Sequence, residues 1–200
     1  ISDIDAPSVN IKCRLAGDFL GCTVKATALW EGKEVGSNEC RVYSNFIEIT
    51  VHLSEKHLWE VGAGRLYDLE LTVEKDGTTL DFAQSYFGLR TVCLDGRAFK
   101  INGKPLFGRW VLDQGFYPDG IYTAPTDEAL KNDILYSMQL GFNGARLHEK
   151  IFEPRFLYWA DKLGYIVWGE HANWELDITD MGQIQHFLPE WLEALDRDMC

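Results

Sequence analysis

The feature that most constrains the fold is a change in the spacing of apolar residues near the middle of the chain. In residues 1–88 they recur at every second position in short bursts, as in residues 47–53. This period turns one face of a β-strand toward a core and the other toward water. After Gly108, short apolar runs alternate with stretches of helical period. We therefore expect a multidomain β plus α/β chain.

Glycine-containing turn sequences separate the bursts of the first part. The Asp76-Gly77 pair predicts a two-residue hairpin turn, because both positions tolerate positive φ. Several short strands at this spacing, with no helical stretch between them, predict an immunoglobulin-like β-sandwich domain over residues 1–88. The spacing of an antibody-type Cys-Trp-Cys set is absent, and a sandwich alone indicates no function.

Residues 89–200 form the second expected domain. It begins with two tight hairpins, at Asp95-Gly96 and Asn102-Gly103, and continues with three apolar strands that alternate with helices. The helices are expected to begin at a Thr126 cap, at Pro154 and at Pro189. Apolar strands in such alternation predict a parallel sheet covered by helices. A doubly wound sheet and an incomplete (β/α)₈ barrel of about three units both fit this order.

Charge and cysteine usage exclude several classes of function. The chain holds 19 basic and 31 acidic residues, a net charge of −12, and each of the two parts carries −6 (8 − 14 and 11 − 17). Evenly spread acidity predicts no nucleic-acid and no membrane partner. The five cysteines include no CxxC pair, so no zinc site and no disulfide framework are expected, which favours a reducing compartment such as the cytoplasm.

The two ends of the chain suggest a piece of a longer protein. The chain begins without Met and without a signal-like segment, and it ends at Cys200 inside an expected helix.

Six short stretches follow one another in a characteristic order over about 140 residues. They are Leu58-Trp59 with Leu66-Tyr67-Asp68-Leu69, Phe87-Gly88-Leu89-Arg90, the FKINGKPL of 99–106, the LGFNGAR of 140–146, the YWADKLG of 158–164, and Glu170. Together they resemble glycoside hydrolase family 2, which includes β-galactosidases, β-glucuronidases and β-mannosidases. Residues 1–57 fit this family only as sandwich strands.

The resemblance implies a retaining glycosidase that acts on O-glycosidic bonds of a carbohydrate, with a sandwich domain followed by a (β/α)₈ barrel. The family's acid/base Glu closes the fourth barrel strand and its nucleophile Glu lies on the seventh. Both are therefore expected beyond residue 200, so the fragment alone is expected to be inactive and, with an open barrel, to self-associate. The alternative is a non-catalytic carbohydrate-binding or scaffold protein of the same architecture. A complete α/β hydrolase is disfavoured, since no G-x-S-x-G is present.

The strand ends depart from the family pattern. Leu112-Asp113-Gln114-Gly115 stands where the family has Asn-Arg-His-Glu, Glu149 stands at the family's His position, and Gly169-Glu170 replaces Asp-Glu. Arg146 keeps its place, and the family arginine there lies beside the nucleophile. The altered rim argues for a divergent branch and against an ordinary galactosidase or glucuronidase specificity.

Substrate contacts are expected from residues at the carboxyl ends of the three strands, where barrel active sites form. The candidates are Asp113, Arg146, His148, Glu149, Glu170, Asn173 and Trp174. Glu149 and Glu170 are expected close together, either as an in-chain acid/base pair or, as we favour, as partners of sugar hydroxyls or of Arg146 and Lys150. Trp174 offers an aromatic face for a sugar ring.

His148, Glu149, Glu170 and His171 also offer metal ligands, but the sequence is not HExxH. We expect no metal and no cofactor.

Overall fold

The computed structural model describes residues 2–174, 177 and 179–198 of the 200-residue chain. The chain divides into two compact units. The first comprises Ile1–Glu60 and Arg65–Leu106, and the second comprises Val61–Gly64 and Phe107–Cys200.

The described part of the first unit consists of antiparallel strands. They are β1 (Ser2–Asp3), β2 (Ser8–Arg14), β3 (Thr23–Trp30), β4 (Lys33–Arg41), β5 (Phe46–His52), β6 (Tyr67–Lys75), β7 (Thr78–Phe87), β8 (Val92–Asp95), β9 (Ala98–Ile101) and β10 (Lys104–Pro105). The sheets have the orders β1-β2-β5, β4-β3-β6-β7 and β10-β9-β8. The predicted turn between β6 and β7 is confirmed, since Asp76 and Gly77 have φ of 51° and 76°.

The sheets β1-β2-β5 and β4-β3-β6-β7 of the first unit share one core, to which alternate strand residues contribute. Ile47, Ile49 and Val51 of β5 are buried and pack in one cluster with residues of β3 such as Val24. The predicted period-2 pattern is thereby confirmed. Tyr67 begins β6 and is fully buried, and its hydroxyl donates to the carbonyl oxygen of Glu55 at 2.9 Å and accepts from the backbone N–H of His57 at 2.7 Å.

The boundary between the units lies after Leu106, later than the expected division at 88/89. The hairpins of β8 to β10 stay with the first unit because Asn102 ties them to it. Its amide nitrogen donates to the carbonyl oxygen of Trp59 at 2.9 Å, and its amide oxygen accepts from the backbone N–H of Thr91 at 3.0 Å.

The second unit is built of β11 (Trp110–Asp113), α1 (Asp127–Gln139), β12 (Gly144–Leu147), α2 (Pro154–Leu163), β13 (Ile166–Gly169) and α3 (Met181–Asp198). The strands pair in parallel in the order β11-β12-β13, which confirms the predicted parallel sheet. Thr126 caps α1 by accepting from the N–H of Ala129, and α2 ends at Gly164 with φ 74°.

The predicted start of the third helix is wrong. α3 begins at Met181, and Pro189 lies inside it. Asp180 provides the earlier start, since its carboxylate accepts from the N–H of Gly182 at 2.9 Å and its carbonyl oxygen accepts from Ile184 at 3.1 Å. An Asp at this place satisfies the first free N–H groups of a helix. The prediction that the chain ends at Cys200 inside a helix falls on a residue outside the described ones.

None of the described helices is long and apolar enough to cross a membrane.

The two faces of the parallel sheet differ. Alternate strand residues pack with α1 and α2 in one apolar cluster: Val111, Ala145, Leu147 and Val167. On the other face Leu112 is 52% exposed and Trp168 is 56% exposed. We refer to this second side as the open face.

An ion pair joins α1 to α2 away from the open face. Nε and Nη2 of Arg155 donate to the two carboxylate oxygens of Asp127, each at 2.8 Å. The indole nitrogen of Trp159 donates to the same carboxylate at 3.1 Å. The hydrogen bond from Arg155 lowers the pKa of Asp127 to about 2.

Because the pKa of Asp127 is lowered in the folded chain, its ionised form stabilises the fold when the pH is above the ordinary pKa of an aspartate. This contribution is lost as the pH falls toward about 2. Asp127→Asn should therefore lower the Tm slightly at neutral pH, since both partners are exposed. The difference from wild type should shrink in acid. Thermal melts of both chains from neutral pH down to about 2 test this, and a difference that does not change with pH would contradict it.

Candidate functional site

The carboxyl ends of the three parallel strands lie side by side. Asp113 of β11 pairs in register with Leu147 of β12, which pairs with Gly169 of β13. The loops that follow these strands therefore meet at one edge of the sheet. Most of the predicted site residues lie on these loops.

Arg146 and Glu170 form an ion pair at this edge. Two guanidinium nitrogens of Arg146 contact the two carboxylate oxygens of Glu170, with Nη2 to Oε2 at 3.2 Å. The Glu170 side chain is 17% exposed. The hydrogen bond from Arg146 lowers the pKa of Glu170, so the carboxylate stays ionised at neutral pH.

Glu149 joins the loops after β12 and β13. Its Oε2 accepts the backbone N–H groups of Asn173 at 2.8 Å and Trp174 at 3.2 Å, and its own N–H donates to Oε2 of Glu170 at 3.4 Å. Its φ of 56° lies in the left-handed region, which residues with a Cβ rarely adopt. Arg146, Glu149 and Glu170 are thus brought into one hydrogen-bonded group, which we call the strand-end group.

His148 lies at the border of the strand-end group. Its Nδ1 is 3.0 Å from the amide nitrogen of Gln114. Since an amide nitrogen only donates, Nδ1 is the acceptor in this contact. The ring of Trp174 stands nearly perpendicular to that of His148 at 5.9 Å and is mostly exposed. Asn173 takes part through its backbone N–H.

Asp113 is not brought to the strand-end group. Successive strand residues point to opposite faces, so Asp113 follows Val111 to the side that the helices cover. Its Oδ1 accepts the N–H of Gly115 at 2.8 Å. Burial raises the pKa of Asp113, and the charge of Asp133 on α1 adds to that rise.

The raised pKa predicts the effect of Asp113→Asn. The folded chain favours the neutral form of Asp113. The residue therefore lowers the free energy of unfolding once the pH rises above the ordinary pKa of an aspartate, where the unfolded chain ionises first. Asn keeps the acceptor for Gly115 and removes the charge. The variant should therefore melt a few degrees higher than wild type at pH 7, with the difference disappearing in acid. A lower Tm at pH 7, measured by circular dichroism on the same chain, would contradict this expectation.

The geometry favours hydrogen bonding over metal binding in this group. One ligand atom each of His148, Glu149 and Glu170 lies within 4.8 Å of the others. However, both oxygens of Glu170 contact the Arg146 guanidinium, and a cation would have to compete with it. The ring of His171 packs against Phe187 at 5.3 Å, and its Nδ1 contacts the carbonyl oxygen of Ala172.

Two neighbours of the site have contacts that the sequence did not predict, although Lys150 was expected as a possible ion-pair partner of Glu149 or Glu170. Gln114 contacts His148, and Lys150 directs its ammonium to backbone carbonyls instead of to a carboxylate. Gln114 lies in the loop just after β11, so strand alternation does not place its side chain. The role of Lys150 depends on the path of the 114–122 loop, which local sequence does not specify.

Comparisons with known proteins agree with this architecture. The family model described as "Glycosyl hydrolases family 2" matches residues 9–90. An exo-β-D-glucosaminidase of Amycolatopsis orientalis is 35% identical over 127 residues, which cover 58% of this chain and 12% of that protein. A β-galactosidase of Vibrio vulnificus strain CMCP6 is 30% identical over 147 residues, which cover 72% of this chain and 14% of that protein.

A solved structure shows the same fold. The apo structure of Bacteroides uniformis β-glucuronidase 3 superimposes with a TM-score of 0.84 at 19% identity, covering 99% of this chain and 25% of that one. The chain thus spans a small part of the relatives that it matches. The family model and the curated relatives together place it in glycosyl hydrolase family 2.

Proposed function

We propose that the full-length protein containing this chain is a retaining glycoside hydrolase that acts on O-glycosidic bonds of a carbohydrate. The observation that carries the proposal is the strand-end group, which collects Arg146, Glu149 and Glu170 at the carboxyl ends of parallel strands. Barrel enzymes build their active sites at this end. Carboxylate groups and a guanidinium are suited to hydrogen bonds with sugar hydroxyls.

The second unit is proposed to be the first three units of a (β/α)₈ barrel. Its strands follow one another in chain order, and α1 and α2 both pack on the same face of the sheet. A doubly wound sheet carries helices on both faces, whereas a barrel carries them on one. The exposed Leu112 and Trp168 then correspond to positions that further strands would cover.

The first unit is proposed to be an immunoglobulin-like domain. The sheets β1-β2-β5 and β4-β3-β6-β7 contain three and four antiparallel strands around one core. Tyr67 supports this assignment, because a buried Tyr at the start of a late strand, bonded through its hydroxyl to upstream backbone, is a recurrent feature of such sandwiches.

The catalytic pair is proposed to lie outside residues 1–200. A retaining pair needs carboxyl groups about 5 Å apart, with one protonated to serve as the acid. Glu149 and Glu170 are close enough. However, the hydrogen bond from Arg146 lowers the pKa of Glu170, and Oε2 of Glu149 is already engaged as the acceptor of two backbone N–H groups. Both are therefore better suited to hold substrate than to donate a proton.

Trp174 is proposed to pack against the apolar face of the sugar. Its ring is 74% exposed and borders His148, so an aromatic surface adjoins the hydrogen-bonding groups. This pairing of an apolar ring face with polar groups is typical of sites for small polar ligands.

A panel of p-nitrophenyl β-glycosides tests the proposal. The full-length protein should release p-nitrophenol from at least one of them, and the isolated chain should release none. Turnover by the isolated chain that is lost in Glu149→Gln or Glu170→Gln would show that the catalytic pair lies within these residues. If the full-length protein binds sugars but cleaves no glycoside, the non-catalytic alternative replaces the proposal.

A further inference from the structure

We propose that Lys150 is a positioning residue of the strand-end site. Its ammonium holds the loop after β11 against the loop after β12, and this contact fixes the orientation of His148 and Glu149. The effect on substrate binding rests on the proposed function, whereas the contact between the loops does not.

Lys150 is buried, with 8% of its surface exposed, which is unusual for a lysine. Its Nζ donates to the carbonyl oxygen of Tyr122 at 2.8 Å and to that of Gly115 at 3.3 Å. It also lies over the rings of Tyr122, at 4.4 Å, and Phe152, at 5.0 Å. Taking an ammonium out of water is costly unless hydrogen bonds replace the lost hydration. Here those hydrogen bonds come from the two ends of one loop.

The loop from Gly115 to Tyr122 is shaped around this ammonium. Gly115 has φ 65°, and a Cβ there would lie 2.8 Å from Nζ of Lys150. Between the two carbonyls, Tyr117 and Ile121 exchange backbone hydrogen bonds at 2.8 and 2.9 Å, which closes the loop on itself. Lys150 therefore holds a preformed loop at both of its ends.

The residues next to these contacts belong to the site. Gln114 precedes Gly115 and donates to His148, and Glu149 precedes Lys150 and bonds the loop after β13. Removal of the ammonium would leave the carbonyls of the buried Gly115 and of Tyr122 without this donor and would release the loop. Substrate affinity should then fall, while the chemistry of bound substrate should change little.

Lys150→Met tests this inference in the full-length protein, because Met keeps most of the side-chain volume without the ammonium. Lys162→Met, at an exposed lysine of α2, is the matched control. In Lys150→Met we expect amide hydrogen exchange in 115–122 to accelerate about tenfold, KM to rise about tenfold and kcat to stay within about threefold of wild type. Lys162→Met should change none of the three.

A merely structural lysine would lower kcat per total protein and leave KM unchanged, and that result would overturn the inference. Unchanged exchange in 115–122 would overturn it as well. If Lys150→Met does not fold, Gln114→Ala replaces it, with an expected rise in KM of about threefold, and an unchanged KM would again contradict the inference. If wild type cleaves no glycoside, the proposed function fails, and the exchange measurement still decides the role of Lys150.

Discussion

Replacement of Arg146 by Ala in the full-length protein should lower kcat/KM by about a hundredfold or more, the scale of a lost transition-state contact of about 3 kcal/mol. Arg146 holds Glu170 ionised and lies at the carboxyl end of the middle strand. Without the guanidinium, the pKa of Glu170 should return toward its ordinary value, and the strand-end group should lose its cation. Steady-state kinetics on the best aryl glycoside measures the effect.

Arg155→Ala is the matched control for this substitution. Arg155 pairs with Asp127 between α1 and α2, so its removal should leave kcat/KM within about threefold of wild type. If Arg146→Ala itself changes kcat/KM by less than about threefold, with the fold intact by circular dichroism, Arg146 is only a structural ion-pair partner.

The isolated chain should self-associate through the second unit. Leu112 and Trp168 expose apolar surface on the open face, and the outer edges of β11 and β13 lack a neighbouring strand among the described residues. Apolar surface costs about 25 cal/mol per Å² left in water, so burial of a few hundred Å² contributes several kcal/mol to association. Light scattering after gel filtration at micromolar concentration should show a dimer or larger species.

Leu112→Lys should shift that species toward the monomer. Leu140→Lys, at a leucine that follows α1 and is even more exposed, should not. A monomeric wild-type chain that binds no hydrophobic dye would contradict both the self-association and the open-barrel interpretation.

Local patterns predicted the elements of the fold because strand and helix periods act over a few residues. The alternating apolar residues of 47–53 coincide with β5. As expected, Thr126 caps the start of α1 and Gly164 ends α2. The start of α3 was predicted wrongly at Pro189. The helix begins earlier, after the Asp180 cap, and it accommodates the proline in its interior.

The residues of the candidate site were predicted less completely. That a residue lies at the end of a strand does not specify to which face of the sheet its side chain points. Arg146, Glu149 and Glu170 meet because parallel strand ends lie together, a consequence of topology that the sequence order implied. Asp113 does not join them because the alternation of β11 turns it toward the helices. Lys150 acts through carbonyl groups of a loop, and backbone acceptors have no signature in side-chain sequence.

Covalent trapping tests the central claim most directly, namely that this chain supplies the substrate rim of a retaining glycosidase whose catalytic carboxylates lie elsewhere. A retaining enzyme forms a glycosyl-enzyme intermediate, which a 2-deoxy-2-fluoro glycoside of the preferred sugar makes long-lived. Peptide mass mapping of the trapped full-length protein should find the sugar on a Glu outside residues 1–200. A label on Glu149 or Glu170, or no covalent intermediate in a protein that turns over the glycoside, would contradict the claim.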